Sequence, residues 1–264
     1  PFEATVLKTD PDGILNENVM FAAHFDRYPI ERARDGIAML KMSNASGIRI
    51  DFAWSAMERT AGELVWENHT LYDIVECMRE NGLSLLPILD SAPVRYGLQN
   101  WNEMPWTEEQ LEAWARFARY SAEVLDGMTD TFEIWNEPNI TSFNMNLGTP
   151  QGDGRVYAKM AEVAAEAIRE VIPNAKIGGP SVTNISQAQG QDYFRETMES
   201  EVYNYLGVIV LHPYIRTAPE NSAMPESIQW YKDQYAAAGF PDPDIWNTET
   251  GYTVGDEGIT EEVK

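Results

Sequence analysis

The chain has 264 residues, 44% hydrophobic and 23% charged, an ordinary balance for a globular protein and enough for one α/β barrel. Its net charge of −23 excludes nucleic acid and disfavours anionic membranes, because a polyanion needs a basic surface. No apolar run approaches the roughly 18 residues that a membrane span requires.

The predicted strands, in chain order, cover residues 19–24, 47–52, 83–90, 131–136, 176–180, 208–213 and 244–249. Amphipathic helices separate several of them. Leu71, Ile74, Val75 and Met78 fall at i, i+3, i+4 and i+7. Thr70 with Asp73 marks the start of that helix, and Asn81-Gly82 marks its end. Cys77, the single cysteine, falls in the same pattern and reads as a small buried hydrophobe. Thr107 with Gln110 makes a second capping box, ahead of Leu111, Trp114, Ala118, Ser121 and Leu125. Tyr157, Met160, Ala161, Ala164, Ile168 and Val171 form a third stripe; Ile228, Tyr231 and Tyr235 form a fourth.

This alternation predicts parallel strands with right-handed crossovers. Seven strands at even spacing favour a TIM (β/α)8 barrel over an open sheet. No Gly-x-Gly-x-x-Gly follows the first strand, and no phosphate loop appears. Only fifteen residues follow Glu249. We therefore expect one catalytic domain over 1–264 that is C-terminally incomplete and lacks its eighth strand and helix. The chain opens Pro-Phe-Glu-Ala with no basic-then-apolar leader. A mature secreted or periplasmic enzyme looks like this, and so does a cytoplasmic one; the first is the expected localisation.

Catalytic groups of such barrels lie at the C-terminal ends of strands. The fourth predicted strand ends Trp135-Asn136-Glu137-Pro138-Asn139, and the seventh ends Asn247-Thr248-Glu249-Thr250-Gly251. Two carboxylates therefore face each other across the expected mouth, which suits glycoside cleavage. A regular strand would point Asn136 and Glu137 to opposite sides. For both to reach one sugar, the backbone must bulge or turn there.

These residues, with His212-Pro213-Tyr214, Gly47-Ile48-Arg49-Ile50-Asp51 through Trp54 and Glu58, and Leu85-Leu86-Pro87-Ile88-Leu89 with Pro93, resemble clan A glycoside hydrolases. The resemblance is to family 39, related to family 5, and runs from about Val19 to Tyr252. It implies a retaining double displacement, with Glu249 as nucleophile and Glu137 as general acid/base. Asn136 is implied as partner of the sugar 2-hydroxyl, and Arg49 and Tyr214 as stabilisers of ionised Glu249. The implied substrate is an oligo- or polysaccharide, β-xyloside-like or related, with no cofactor and no metal.

Several residues keep two readings. Arg49 serves Glu249, or forms an ion pair inside the barrel, for example with Glu133, a buried structural carboxylate. His212 and His24 bond substrate, or pack in the barrel. Trp54, Tyr96, Trp101, Trp106, Phe143 and Tyr252 fall in mouth-side segments, where two or three of them are expected to touch sugar. Residues 143–153 and 183–191 are rim segments or plain connections. Only three histidines exist, His24, His69 and His212, without a His-x-His or His-Glu-x-x-His spacing, so a metal hydrolase is poorly supported. A non-catalytic or weakly active carbohydrate-binding barrel is the other alternative. Oligomeric state is not legible.

Overall fold

The computed structural model describes residues 16–67, 70–214, 222–240 and 243–251. The chain divides into two compact units, residues 1–50 with 67–86, and residues 51–66 with 87–264.

In the first unit, β1 (Asn16–Ala22) pairs in parallel with β2 (Ala45–Ala53), with Met20 opposite Gly47 and Ala22 opposite Arg49. Between them runs α1 (Ile30–Met42), which buries Ala33, Ile37 and Leu40. Later in the chain, α3 (Thr70–Glu80) packs on α1 with the buried stripe Leu71, Ile74, Val75 and Met78. It ends in a left-handed Gly82, and the Leu83 N–H closes onto the Met78 carbonyl at 3.0 Å. A Cβ at Gly47 would lie 2.0 Å from the Ser84 carbonyl oxygen, so only glycine fits that approach. Ser84 opens β5 (Ser84–Asp90).

The second unit starts with the short helix α2 (Trp54–Met57) and the small antiparallel pair β3 (Glu58–Thr60) and β4 (Glu63–Leu64). The alternation then continues with α4 (Glu108–Leu125), β6 (Thr131–Ile134), α5 (Gly154–Arg169), β7 (Lys176–Thr183), α6 (Ala188–Met198), β8 (Val208–His212), α7 (Met224–Ala237) and β9 (Asp244–Asn247). Its sheet runs β5-β6-β7-β8-β9, every pair parallel. Thr107 caps α4 with the expected box: its hydroxyl accepts from the Gln110 N–H, and the Gln110 side chain accepts from the Thr107 N–H. Asp153 caps α5 by accepting from the Arg155 and Val156 N–H groups.

Seven strands of a (β/α)8-type alternation are thus present among the described residues, and the fold class is the one the sequence predicts. The differences are local. The fourth barrel strand, β6, stops at Ile134 rather than Asn136. The fifth, β7, runs three residues beyond Pro180. Helix α6 begins at Ala188, inside the segment read as a rim. Among the described residues, no helix is long and apolar enough to cross a membrane.

Candidate active site

The site is built at the C-terminal ends of β6, β8 and β9. At the end of β6, Trp135 has φ 61° and Glu137 has φ 40°. Left-handed backbone at two non-glycine residues costs about 1–3 kcal/mol each, so the surroundings must impose it. They do so through several hydrogen bonds. The Trp135 N–H reaches the Leu89 carbonyl at 2.9 Å, and its indole N–H donates to the Phe143 carbonyl at 2.7 Å. The Tyr157 hydroxyl donates to the Ile134 carbonyl at 2.9 Å. Asn139, fully buried, donates to the Thr183 carbonyl at 2.8 Å and accepts the Thr183 N–H at 3.1 Å. Asn144, also fully buried, donates to the carbonyls of Pro138 and Gly152, both at 2.7 Å. The turn required by the Asn136-Glu137 neighbours is therefore present and clamped, and both residues are buried.

His212, the last residue of β8, is fully buried at the centre of three carboxylates. Its Nδ1 lies 3.0 Å from Glu137 Oε1 and 3.8 Å from Glu249 Oε2, and its Nε2 lies 3.7 Å from Glu133 Oε1. Nε2 also lies 3.0 Å from the Thr248 hydroxyl. The sum of the first two distances is the most that can separate those oxygens of Glu137 and Glu249. The two carboxylates therefore meet at one imidazole.

The imidazole can follow a proton on Glu137. Ionised Glu137 accepts from Nδ1–H, and Nε2 then accepts from the Thr248 hydroxyl. Protonated Glu137 donates to Nδ1, and Nε2–H then donates to Thr248. A threonine hydroxyl serves both states because it both donates and accepts.

The Tyr214 hydroxyl donates to Glu249 Oε1. Glu249 is the more open of the two carboxylates, its side chain 30% exposed against 10% for Glu137. Glu133 is fully buried and accepts from the Ser181 hydroxyl at 2.5 Å. Among the described residues, no three His, Cys, Asp or Glu are grouped to hold a metal ion.

Residues 106–232 match the model of glycosyl hydrolases family 39. The chain is family 39-like. It is 31% identical over 101 residues to a β-xylosidase of Geobacillus stearothermophilus, a match covering 38% of this chain and 18% of that protein. Its fold is similar to a monomeric β-xylosidase from Caulobacter crescentus, with a TM-score of 0.64 at 16% identity over 89% of this chain and 52% of that one. A family 39 enzyme from Xanthomonas axonopodis pv. citri gives 0.67 at 14% identity, over 90% and 51%. The chain spans about half the length of these solved structures.

In this family 39-like chain, Glu137, Asn136, His212, Tyr214 and Glu249 come from one unit, and all but Asn136 are joined by the contacts above. Arg49 and His24 belong to the first unit, where Arg49 is buried in β2 and His24 follows β1. Trp54, expected beside the sugar, is instead a core residue. It is fully buried, stacked on Tyr96 and Phe117 and tilted against Trp114, and its indole N–H donates to Glu58. A ring enclosed in this way presents no face to a ligand. Tyr96 is also tied inward: its hydroxyl donates to Glu58, and burial first, then that bond, holds its pKa above the usual tyrosine value. Trp101 and Trp106 are exposed. Tyr252, His69 and the predicted helix start at Thr260 lie outside the described residues.

Sequence reasoning gave no role to Thr248, Ser181 or Asn144. Thr248 sits inside the quoted motif and had a visible signal, a hydroxyl one residue before the nucleophile candidate. Ser181 and Asn144 carry no local pattern; only the fold brings them to the strand ends.

Proposed function

We propose that this chain carries the catalytic centre of a retaining glycosidase acting on β-xyloside-like oligo- or polysaccharides by double displacement. The observation that carries the reading is the single buried imidazole of His212 in reach of both Glu137 and Glu249. Glu249 attacks the anomeric carbon, and the bond to the leaving oxygen breaks as Glu137 protonates it. Glu137 then takes a proton from water, which attacks the same carbon and releases Glu249. Tyr214 orients the attacking carboxylate. Asn136, buried in the turn after β6, holds the sugar 2-hydroxyl, a bond that strengthens as positive charge develops on the ring.

The names of the β-xylosidases above support the sugar class. An extracellular or periplasmic place of action suits a substrate too large to cross a membrane. The test is a 2-deoxy-2-fluoro-β-xyloside followed by peptide mass analysis, with a single label expected on Glu249. A label on another residue overturns the nucleophile assignment. If the intact chain neither turns over substrate nor takes up label, it favours the reading as a carbohydrate-binding barrel.

A further inference from the structure

Trp101 exposes 47% of its surface, although the loop carrying it is held at every turn. Its carbonyl accepts the Ala92 N–H at 2.8 Å. Next to it, the Asn102 carboxamide donates to the carbonyls of Thr141 and Ser142 at 3.3 and 3.2 Å, and the Met145 N–H donates to the Asn102 carbonyl at 3.0 Å. One residue further, the Glu103 carboxylate accepts from the Gln99 N–H at 2.9 Å and from Asn100 at 3.2 Å. The loop after β5 is thereby fastened to the loop that leaves Glu137. The indole itself is braced edge-on by Phe143, with centroids 5.9 Å apart and planes at 83°. Phe143 is in turn tied by its carbonyl to the Trp135 indole, two residues before Glu137.

A half-exposed indole on a tied loop, with an aromatic ring against it, can stack on something flat and weakly polar. A pyranose ring has such a face. The ordering cost of that platform is already met in the free protein, so stacking on it yields more net affinity. Its position selects the part of the substrate. The leaving group departs on the side of the proton donor, and the brace of Trp101 springs from the proton donor's own loop.

We infer that Trp101, braced by Phe143, is the stacking platform for the leaving-group sugar, and that it makes the enzyme prefer a saccharide over a small leaving group. The chain's net charge of −23 favours a neutral ring there over a uronate. The inference rests on the proposed retaining activity and adds a specificity residue to it.

The test compares β-1,4-xylobiose with β-xylosyl fluoride, whose leaving group is too small to stack. Trp101→Ala is expected to lower the ratio of kcat/KM for xylobiose over the fluoride about tenfold, as expected when a stacked ring is lost. Trp101→Phe should restore most of the ratio. An equal fall for both substrates would assign Trp101 to folding or to the other side of the bond, and unchanged kcat/KM values for both would show that it touches neither part of the substrate. Either result overturns the platform. Label on Glu249 in the unsubstituted chain shows independently whether the underlying activity stands.

Discussion

At the end of β6 the chain turns left-handed at Trp135 and again at Glu137, and bonds to Leu89, to the Phe143–Asn144 loop, to Tyr157 and to Thr183 hold it there. Among the described residues, the end of β9 has no such backbone and β9 pairs only with β8. Glu249 is placed instead by side chains: the Tyr214 hydroxyl, and His212 at 3.8 Å. The difference matches the two proposed jobs. A group that both gives and takes a proton must hold one geometry through both steps, which a strained and clamped backbone supplies. A nucleophile that forms and breaks a bond to carbon must move along that bond, and a hinge of side-chain contacts allows it.

Removing the clamped carboxylate should have the largest effect. Glu137→Ala is expected to lower kcat/KM for xylobiose by about 10²–10⁴-fold, the range of general acid–base catalysis. For an activated aryl xyloside, bond cleavage needs little protonation, so deglycosylation becomes the slow step. Added azide should then restore turnover and yield a β-xylosyl azide. Absence of that product under saturating azide would remove Glu137 from the acid/base role and leave the comparison without its first member.

The clamp can be loosened without touching either carboxylate. Asn144→Ala removes two buried donors and strands the carbonyls of Pro138 and Gly152. The expected stability loss is about 2–4 kcal/mol, read from a denaturant midpoint. Activity should fall through Glu137, so proton-dependent substrates lose more than activated aryl ones. A loss of stability with the same relative activity on both substrates would mean that the clamp supports the fold and not the proton donor.

The legible part of this molecule was what depends on pattern. The strands announced themselves as apolar runs, the α3 stripe by its spacing, and α4 by the Thr107–Gln110 box. The need for a turn at Asn136-Glu137 followed from strand geometry once the family resemblance gave both residues a part at the sugar. What stayed hidden depends on enclosure. Trp54 follows β2 as a sugar platform would, and only the presence of Tyr96, Trp114 and Phe117 around it shows that it is core. Helix α1 has a weak apolar face, three buried residues over thirteen, and so gave little periodic signal. Asn144 looks like any loop asparagine until the carbonyls it satisfies are known.

The smallest expected effect probes the hinge at Glu249. Tyr214 is half exposed, and its hydroxyl bonds the carboxylate directly. In Tyr214→Phe, water can replace the lost donor, so the fold should keep its melting temperature. The attacking oxygen loses its orientation, and kcat should fall about tenfold, the scale of one hydrogen bond to a charged group. Because Glu249 acts in both half-reactions, glycosylation and deglycosylation should slow together, and azide should rescue neither. Rescue by azide would place the defect on the water-activating step and so on Glu137. The two strand ends would then be one coupled device through His212 and Thr248, rather than a clamp and a hinge with separate work.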